Sequence, residues 1–217
     1  MADIFHEVDE EVRREKLKQL WERYSLFIVA ACVLFVAAIA GWRGYDWYIA
    51  RQAAAAGARF EQAATLMEQG KAKEAEAAFA EVAKTAPGGY AVLARMREAN
   101  ALGDSDKAAA VKAYESIAQD GRVPPVMQDL AAVRAGLLLV DTAPLADMQR
   151  RLEPLADSAR PFRHSARELL ALSAWHNKDL TAAQKYLDQM GKDADTPPGV
   201  RARADVLVAL IAANGRG

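Results

Sequence analysis

Hydrophobic and polar residues are distributed in two different ways along this chain of 217 residues. Between Arg23 and Arg43, residues 24–42 form a run of 19 residues without a formal charge. A helix rises about 1.5 Å per residue, so about 20 apolar residues cross the roughly 30 Å hydrocarbon core of a membrane. Aromatic residues gather at both ends of the run, where amphipathic rings favour the membrane interface. Residues 24–42 are therefore predicted to form one transmembrane helix in contact with the lipid bilayer.

Two processing signals resemble parts of this run. Ala38-Ile39-Ala40 imitates a signal-peptide cleavage site, and Val29-Ala30-Ala31-Cys32 imitates the site at which bacterial lipoproteins are cut and acylated. A signal peptide begins with a short basic segment, whereas 23 residues with seven acids precede this run. A lipoprotein turns polar after its cysteine, whereas ten uncharged residues follow here. These differences favour an uncleaved anchor.

The basic residues near the run predict its orientation. Five precede it and three follow it, namely Arg13, Arg14, Lys16, Lys18 and Arg23 before, and Arg43, Arg51 and Arg59 after. The side richer in Lys and Arg stays in the cytoplasm. We therefore expect residues 1–23 to be a charged cytoplasmic tail and the rest to lie outside, which for a bacterial inner membrane means the periplasm. The helical spacing of Leu17, Leu20 and Tyr24 fits an interfacial helix, a partner contact or a plain extension of the membrane helix.

After the run, apolar residues recur three and four positions apart, which is the period of a helix with one buried face. Leu169, Leu172 and Trp175 show this period. Residues 43–69 are rich in good helix formers and are predicted to be a stalk and first helix. Turn signals divide the rest into short helical segments, at Gly70, Pro87-Gly88-Gly89, Gly103-Asp104, Pro124-Pro125, Pro144, Pro161, 177–179 and Pro197-Pro198-Gly199. An all-α domain is predicted.

A small residue and an aromatic residue four positions apart recur in this helical part. The copies are Ala75 with Phe79, Ala110 with Tyr114, and Ala182 with Tyr186. The second lies 35 residues after the first, and the third follows after another 72. A period of about 34 residues with this motif is typical of tetratricopeptide repeats. Near Ala146, Arg150 occupies the aromatic position, so we expect one degenerate repeat and leave the register of residues 140–160 open. Residues 53–217 are predicted to form a tetratricopeptide-like α-solenoid, with an irregular helical bundle as the alternative.

Composition and single residues argue against several classes of function. Residues 43–217 carry 23 Lys and Arg against 22 Asp and Glu, so no basic face for nucleic acid is expected. The only cysteine lies inside the run, and the three scattered histidines lack a second ligand at metal spacing. The sequence contains no recognised cofactor or catalytic motif. His164 and Ser165 are neighbours, but adjacent helix positions point about 100° apart, so we expect a solvated or capping histidine rather than a catalytic base.

Helical repeats bind partners on the surface formed by the first helix of each pair. By register, six residues are predicted to face it and contact a partner: Phe60, Met67, Arg95, Met96, Gln128 and Arg167. The positions at which some peptide-binding repeats place a basic clamp are alanine, at Ala64, Ala99, Ala131 and Ala135. A smooth groove of small residues is therefore expected, suited to an apolar helix or an extended segment of a partner. The alternative is that Phe60, Met67 and Met96 are core residues.

The whole arrangement resembles a known family, the single-pass ancillary subunits of the bacterial SecYEG translocon, often called YfgM-like. The resemblance rests on the charged tail, on the Gly41-Trp42-Arg43 exit from the run, and on the alanine-rich helix followed by divergent repeats. It implies a periplasmic domain that works beside SecYEG and a membrane-tethered periplasmic chaperone of the peptidyl-prolyl isomerase type. Such proteins help exported chains as they emerge.

These patterns together predict a membrane-anchored, non-enzymatic adaptor of protein export. Two other hypotheses compete with it: a scaffold for another envelope complex, in cell division or outer-membrane assembly, and an enzyme with an unrecognised site. An enzyme predicts a deep polar pocket with titrating groups of shifted pKa, whereas an adaptor predicts an open groove.

Overall fold

The computed structural model describes residues 3–157 and 160–214, and the side chains at position 18, over 21–157 and over 160–213. No β-strand occurs in these two stretches, which confirms the all-α prediction. The chain divides into two compact units after Ala54, and each unit is described by itself. Leu17 and Leu20, which the sequence places on one face of a tail helix, lie outside the described side chains.

The first unit belongs to one helix, α1 (Asp3–Glu68). The apolar side chains of residues 24–42 are exposed along it, among them Phe27, Leu34 and Phe35. The most apolar window of this helix is not buried inside the described part of the protein at all. Lipid can take the place of the missing protein neighbours, and the helix is long and apolar enough to cross a membrane. It is the candidate membrane span.

The second unit, residues 55–217, begins with the end of α1 and continues through short helices. These are α2 (Ala72–Thr85), α3 (Gly89–Ser105), α4 (Lys107–Ala118), α5 (Pro125–Leu139), α6 (Leu145–Leu152), α7 (Arg163–His176), α8 (Leu180–Lys192) and α9 (Pro198–Asn214). A 3₁₀ turn, Glu153–Leu155, follows α6. It contains Pro154, whose missing N–H and fixed φ prevent the α-helix from continuing.

The helices stack as consecutive pairs. The end of α1 packs with α2 through Phe60 and Phe79, whose ring centroids are 5.3 Å apart. The following pairs are α3 with α4, α5 with α6, and α7 with α8, and α9 ends the stack. The first helices of successive pairs also touch, α3 with α5, α5 with α7, and α7 with α9. This is the tetratricopeptide-like stack that the sequence predicts, because each pair completes its core only against its neighbours.

Three buried positions recur on the second helices of the four pairs. They are Ala75, Ala110, Met148 and Ala183; then Phe79, Tyr114, Leu152 and Leu187; and then Val82, Ile117, Leu155 and Met190. Each set is spaced by 35, 38 and 35 residues. The predicted register needs one correction, because the last copy starts at Ala183, one residue after the predicted Ala182. In residues 140–160, where the register was left open, the copy starts at Met148, and Ala146 and Arg150 are exposed.

The first helices carry a matching series of small buried residues: Ala63, Ala99, Gly136 and Ala171. The third member has a specific reason to be glycine. A Cβ placed on Gly136 would lie 2.9 Å from Leu152 Cδ1, and Leu152 is completely buried. Because alanine supplies that Cβ, glycine is what allows α5 and α6 to pack at this distance.

The turns between helices largely follow the sequence signals, with one exception. Gly70 has a φ of +75°, which favours glycine at that turn. Asp106 and Asp179 cap α4 and α8, and each accepts a hydrogen bond from a backbone N–H three residues later. The predicted break at Gly103-Asp104 is wrong, because α3 continues through both residues to Ser105.

Candidate partner-binding surface

A cavity of about 380 Å³ opens between the first helices α5 and α7 and the start of α9. Most of its lining is apolar, and this set of residues is called the apolar groove below: Leu130, Val133, Leu137, Phe162, Leu169 and Leu172. Four polar residues complete the lining: Arg134, Ser165, Glu168 and Arg203. The cavity therefore lies on the face where helical repeats commonly receive partners.

The apolar groove follows from the residue spacing in α5. Val126, Leu130, Val133 and Leu137 are spaced by four, three and four residues, so they lie on one face of the helix. Ala131, Ala135 and Gly136 occupy the opposite face and are buried between helices. Leu137 keeps 53% of its surface exposed, and Val206 on α9 keeps 60%. Exposed apolar side chains beside a cavity are a common feature of interaction sites.

The polar edge of the groove is partly neutralised by an ion pair. Arg203 Nη2 on α9 donates to Glu168 Oε2 on α7 over 2.8 Å. The pair links the last helix to the fourth pair, and hydrogen bonding to Glu168 raises the pKa of the Arg203 guanidinium. Arg134 lines the same cavity without a hydrogen-bond or ion-pair partner among the described residues.

A second cavity, of about 550 Å³, lies where the ends of α4 and α6 approach the start of α5. Its lining mixes apolar and charged side chains, and four of the charged ones pair with one another. Arg151 Nη2 lies 2.8 Å from Glu115 Oε1, and Arg160 Nη1 lies 3.2 Å from Asp129 Oδ2. Because these charges are already matched across neighbouring helices, we interpret this cavity as a structural junction of the second and third pairs.

The expected groove of small residues is not found at the predicted alanines. Ala99 and Ala131 are completely buried and Ala135 is nearly so, while Ala64 is partly buried against the first-pair core. These alanines allow helices to approach one another and do not form a surface. The groove lies instead on the face of α5 that carries larger side chains.

The structure brings two of the six predicted contact residues together at the turn after α4. Arg95 Nη1 donates to Asp120 Oδ2 over 2.9 Å, and Gln128 Nε2 donates to the carbonyl oxygens of Asp120 and Val123 over 2.8 and 3.0 Å. Hydrogen bonds from Arg122 and then from Arg95 hold the pKa of the Asp120 carboxyl well below its usual range. The polar groups of both residues are thus engaged in shaping the turn.

The other four predicted residues lie apart from one another. Phe60 and Met67 pack partly buried against the first-pair core, and Met96 packs against the second. Arg167 is buried, and its Nε donates to the carbonyl oxygen of Ala156 over 2.9 Å. None of the six lines the apolar groove. Their role as partner contacts stays a prediction.

Arg167 belongs to a buried polar cluster that joins α7 to the turn after α8. Asp193 Oδ2 accepts from Arg163 Nε over 2.9 Å and from Arg167 Nη1 over 2.8 Å. These hydrogen bonds, that of Arg163 first, hold the pKa of the Asp193 carboxyl well below its usual range. The cluster is a cross-link between helices, and its charges balance locally.

The expectation of a solvated or capping histidine at position 164 is wrong. His164 is buried, and its Nδ1 lies 3.3 Å from Thr196 Oγ1. Burial and then the positive charge of Arg163 lower the pKa of the imidazole. Ser165 lines the apolar groove instead, so the two neighbours face different surroundings, as the helical geometry predicts. No group of three or more potential metal ligands occurs in the part of the chain that the structure describes.

Sequence reasoning missed the apolar groove because it fixed the register of the first helices by helix order alone. The signal was present in α5, where Val126, Leu130, Val133 and Leu137 keep strict helical spacing beside a face of alanine and glycine. An apolar stripe opposite a small-residue stripe indicates a helix with two contacting faces, one of them unfilled in a lone chain.

Comparison with known proteins agrees with this architecture. The family model of a tetratricopeptide repeat-like domain matches residues 18–169, which include the candidate span, the first three helix pairs and part of α7. No curated protein and no solved structure matches the chain. Since the matched region is well over half of the sequence, the chain belongs to the tetratricopeptide repeat-like domain family.

Proposed function

We propose that this protein is a membrane-anchored, non-enzymatic adaptor of the bacterial protein-export machinery. The candidate span holds it in the inner membrane, with the charged tail in the cytoplasm and the helical repeats in the periplasm. The repeats dock the SecYEG translocon and a membrane-tethered periplasmic chaperone of the peptidyl-prolyl isomerase type. The bound proteins are thereby kept together where exported chains emerge.

The observation that carries the proposal is the open apolar groove in a chain that also has a candidate membrane span. Tetratricopeptide-like domains bind other proteins, and this groove offers Leu130, Val133 and Leu137 to a partner. The family match begins at residue 18 and so treats the span and the repeats as one pattern. A match that covers both parts supports interpreting them as one membrane-anchored binding protein.

The side chains of the groove also favour binding over catalysis. Ser165 is its hydroxyl group, but the neighbouring imidazole of His164 is directed to Thr196 and Asp193. Glu168, its carboxylate, is held by Arg203. A cavity with an apolar floor and a paired carboxylate suits the recognition of apolar side chains.

The choice of export as the process rests on the resemblance to the ancillary SecYEG subunits, carried by the charged tail, the Gly41-Trp42-Arg43 exit and the divergent repeats. The orientation rests on the excess of Lys and Arg before the span. Both are open to direct experiment.

Photo-crosslinking in intact cells tests the proposal. A photoreactive amino acid replaces Leu137 in the apolar groove or, as the control, Leu180 on α8, which is also exposed, at 39% against 53%. We expect position 137 to capture translocon subunits or the isomerase-type chaperone, and position 180 to capture neither. Capture of division or outer-membrane assembly proteins from position 137 would replace the export role with the competing scaffold role.

A further inference from the structure

Two arginines occupy equivalent positions on neighbouring first helices. Arg97 lies on α3 and Arg134 on α5, 37 residues apart, which is also the spacing between the small buried residues Ala99 and Gly136. Arg97 and Arg134 are both exposed. Since α3 and α5 are in contact, the two side chains belong to one face of the stack.

The ring of Tyr114 is buried in the core of the second pair, between the helices α3 and α5 that carry the two arginines. Burial raises the pKa of its hydroxyl, and the charges of Arg134 and Arg97 oppose that rise. This agrees with the placement of both arginines on one face of the stack, which follows independently from their equivalent positions on two helices in contact.

These two arginines differ from the paired ones nearby. Arg95 binds Asp120, Arg151 binds Glu115, and Arg203 binds Glu168. Neither Arg97 nor Arg134 has a hydrogen-bond or ion-pair partner within the described residues.

The next acidic residues along the two helices lie well beyond the arginines. Asp104 is seven residues after Arg97, about 10 Å along the axis of α3, and Asp141 is seven residues after Arg134, past the end of α5 at Leu139. The two cations are therefore left available to an external anion.

Arg134 borders the apolar groove, and Arg97 holds the equivalent position on the neighbouring helix α3. Arg134 lines the same cavity as Leu130, Val133 and Leu137. The Glu168–Arg203 pair at the other side contributes no net charge. The surface thus combines an apolar floor with a net positive edge, and the matching ligand has apolar side chains next to carboxylates.

We propose that Arg97 and Arg134 bind the carboxylate side chains of an acidic amphipathic helix in a partner protein, while the apolar face of that helix fills the groove. The proposal rests on the adaptor function and specifies the partner's chemistry. Neighbouring helix axes lie about 8–10 Å apart, so the two guanidinium groups suit carboxylates at positions i and i+7 of a helix, about 10 Å apart. Arginine pairs with carboxylates in a two-point geometry that lysine lacks.

Binding of synthetic peptides to the full chain in lipid nanodiscs tests this proposal. The probe is a labelled amphipathic helix with a leucine face and Glu at i and i+7, compared with the same peptide carrying Gln or Lys there. We expect the Gln peptide to bind about tenfold more weakly than the Glu peptide, because it loses two exposed ion pairs of up to about 1 kcal/mol each. The Lys peptide should bind more weakly still, because it brings like charges together. Equal binding of the Glu and Gln peptides would overturn the proposal.

Variants supply the matching control. The double variant R97E/R134E should no longer bind the Glu peptide and should bind the Lys peptide more tightly. K107E/K112E makes the same change in net charge at two exposed lysines of α4 and should leave the preference unaltered. If R97E/R134E fails to fold by circular dichroism, R97Q/R134Q replaces it and should bind the Glu and Gln peptides alike. If R97E/R134E still preferred the Glu peptide, that result would also refute the proposal.

Each of the two proposals can be refuted without refuting the other. If position 137 captures the translocon equally well with and without R97E/R134E, the adaptor function stands and the acidic-helix proposal falls. If position 137 captures no export protein, the adaptor function falls, and the peptide titration still decides the chemistry of the groove.

Discussion

The second and third helix pairs solve the same packing problem with different residues. In the second pair, alanine at position 99 belongs to the core that contains the ring of Tyr114. In the third, glycine at position 136 gives room to Leu152, and Met148 stands where the other pairs have alanine. The Cβ that is absent from α5 at Gly136 thus leaves the space that Leu152 of α6 fills. What recurs from pair to pair is the fit between helices, and residue identity follows from it.

The two pairs also differ in how their second helices are held. Helix α4 has 12 residues and an aspartate cap, whereas α6 has eight and begins after Pro144 without a side-chain cap. Hydrogen bonds from the fourth pair stabilise the third pair. Tyr186 donates a hydrogen bond of 2.7 Å to Glu153, and Arg167 donates one of 2.9 Å to the carbonyl oxygen of Ala156. A short uncapped helix depends on its neighbours for stability.

The largest expected effect comes from emptying the aromatic position of the second pair. Tyr114→Ala should lower the free energy of unfolding by about 3–5 kcal/mol, because a buried ring is lost and a cavity remains. Tyr114→Phe, which keeps the ring, is the control and should cost far less. Denaturant unfolding of the full chain in detergent micelles measures both. If Tyr114→Ala changed the midpoint no more than a surface substitution does, the assignment of this position to the core would be wrong.

A smaller effect is expected when a methyl group is added at Gly136 in the third pair. Gly136→Ala should destabilise the protein by about 1–3 kcal/mol, since the new Cβ overlaps Leu152. Gly103→Ala in α3 is the matched control. Its Cβ would meet only Leu138 Cδ2, at 3.9 Å, so better helix propensity should stabilise the protein by up to about 1 kcal/mol. The same unfolding experiment measures the change in the free energy of unfolding for both variants. If both changes had the same sign, the compensation between α5 and α6 would be contradicted.

Structural features that depend on periodic spacing could be predicted from the sequence. Features that depend on how a residue on one helix compensates for a residue on another could not. The helical class, the candidate span and the repeats were readable because charge-free length and a 35-residue recurrence are local signals. The third repeat was not, because its motif of Met148, Leu152 and Leu155 lacks both alanine and an aromatic residue. Only its partner Gly136, which lies on another helix, makes that motif fit.

The surface was harder to predict than the core. Gln128 and Arg167 were assigned to it by helix order, and the structure engages the first at the turn after α4 and buries the second against Asp193. A shift of two or three positions along a helix moves a side chain to another face. The six predicted contacts therefore needed a register more precise than turn signals provide, whereas Leu130 and Leu137 could have been found from the apolar stripe of α5.

The smallest expected effect concerns the polar cluster that joins α7 to the turn after α8. His164 faces Asp193 and Thr196 and lies within the field of Arg163, Arg167 and Asp195. Its pKa is lowered, chiefly by burial. The imidazole of the folded protein therefore binds a proton less readily than that of the unfolded chain, which is protonated near pH 6.5. The stabilisation is complete above about pH 6.5 and is lost as the pH falls towards the lowered pKa of the folded state. Asp193, whose pKa is also lowered, follows the same sign at much lower pH, below about 4.

Comparing thermal unfolding of the natural protein and His164→Gln separates this titration from all others. The variant has no imidazole, so it should be less sensitive to a change from about pH 7.5 to about pH 5 than the natural protein is. The difference in midpoint between the two proteins should therefore narrow on acidification, while Asp193 remains ionised in both. A constant difference would show that the folded chain accepts the proton as readily as the unfolded one. The link between α7 and the turn after α8 would then rest on the hydrogen bonds of Arg163 and Arg167 to Asp193, without any contribution from a neutral His164.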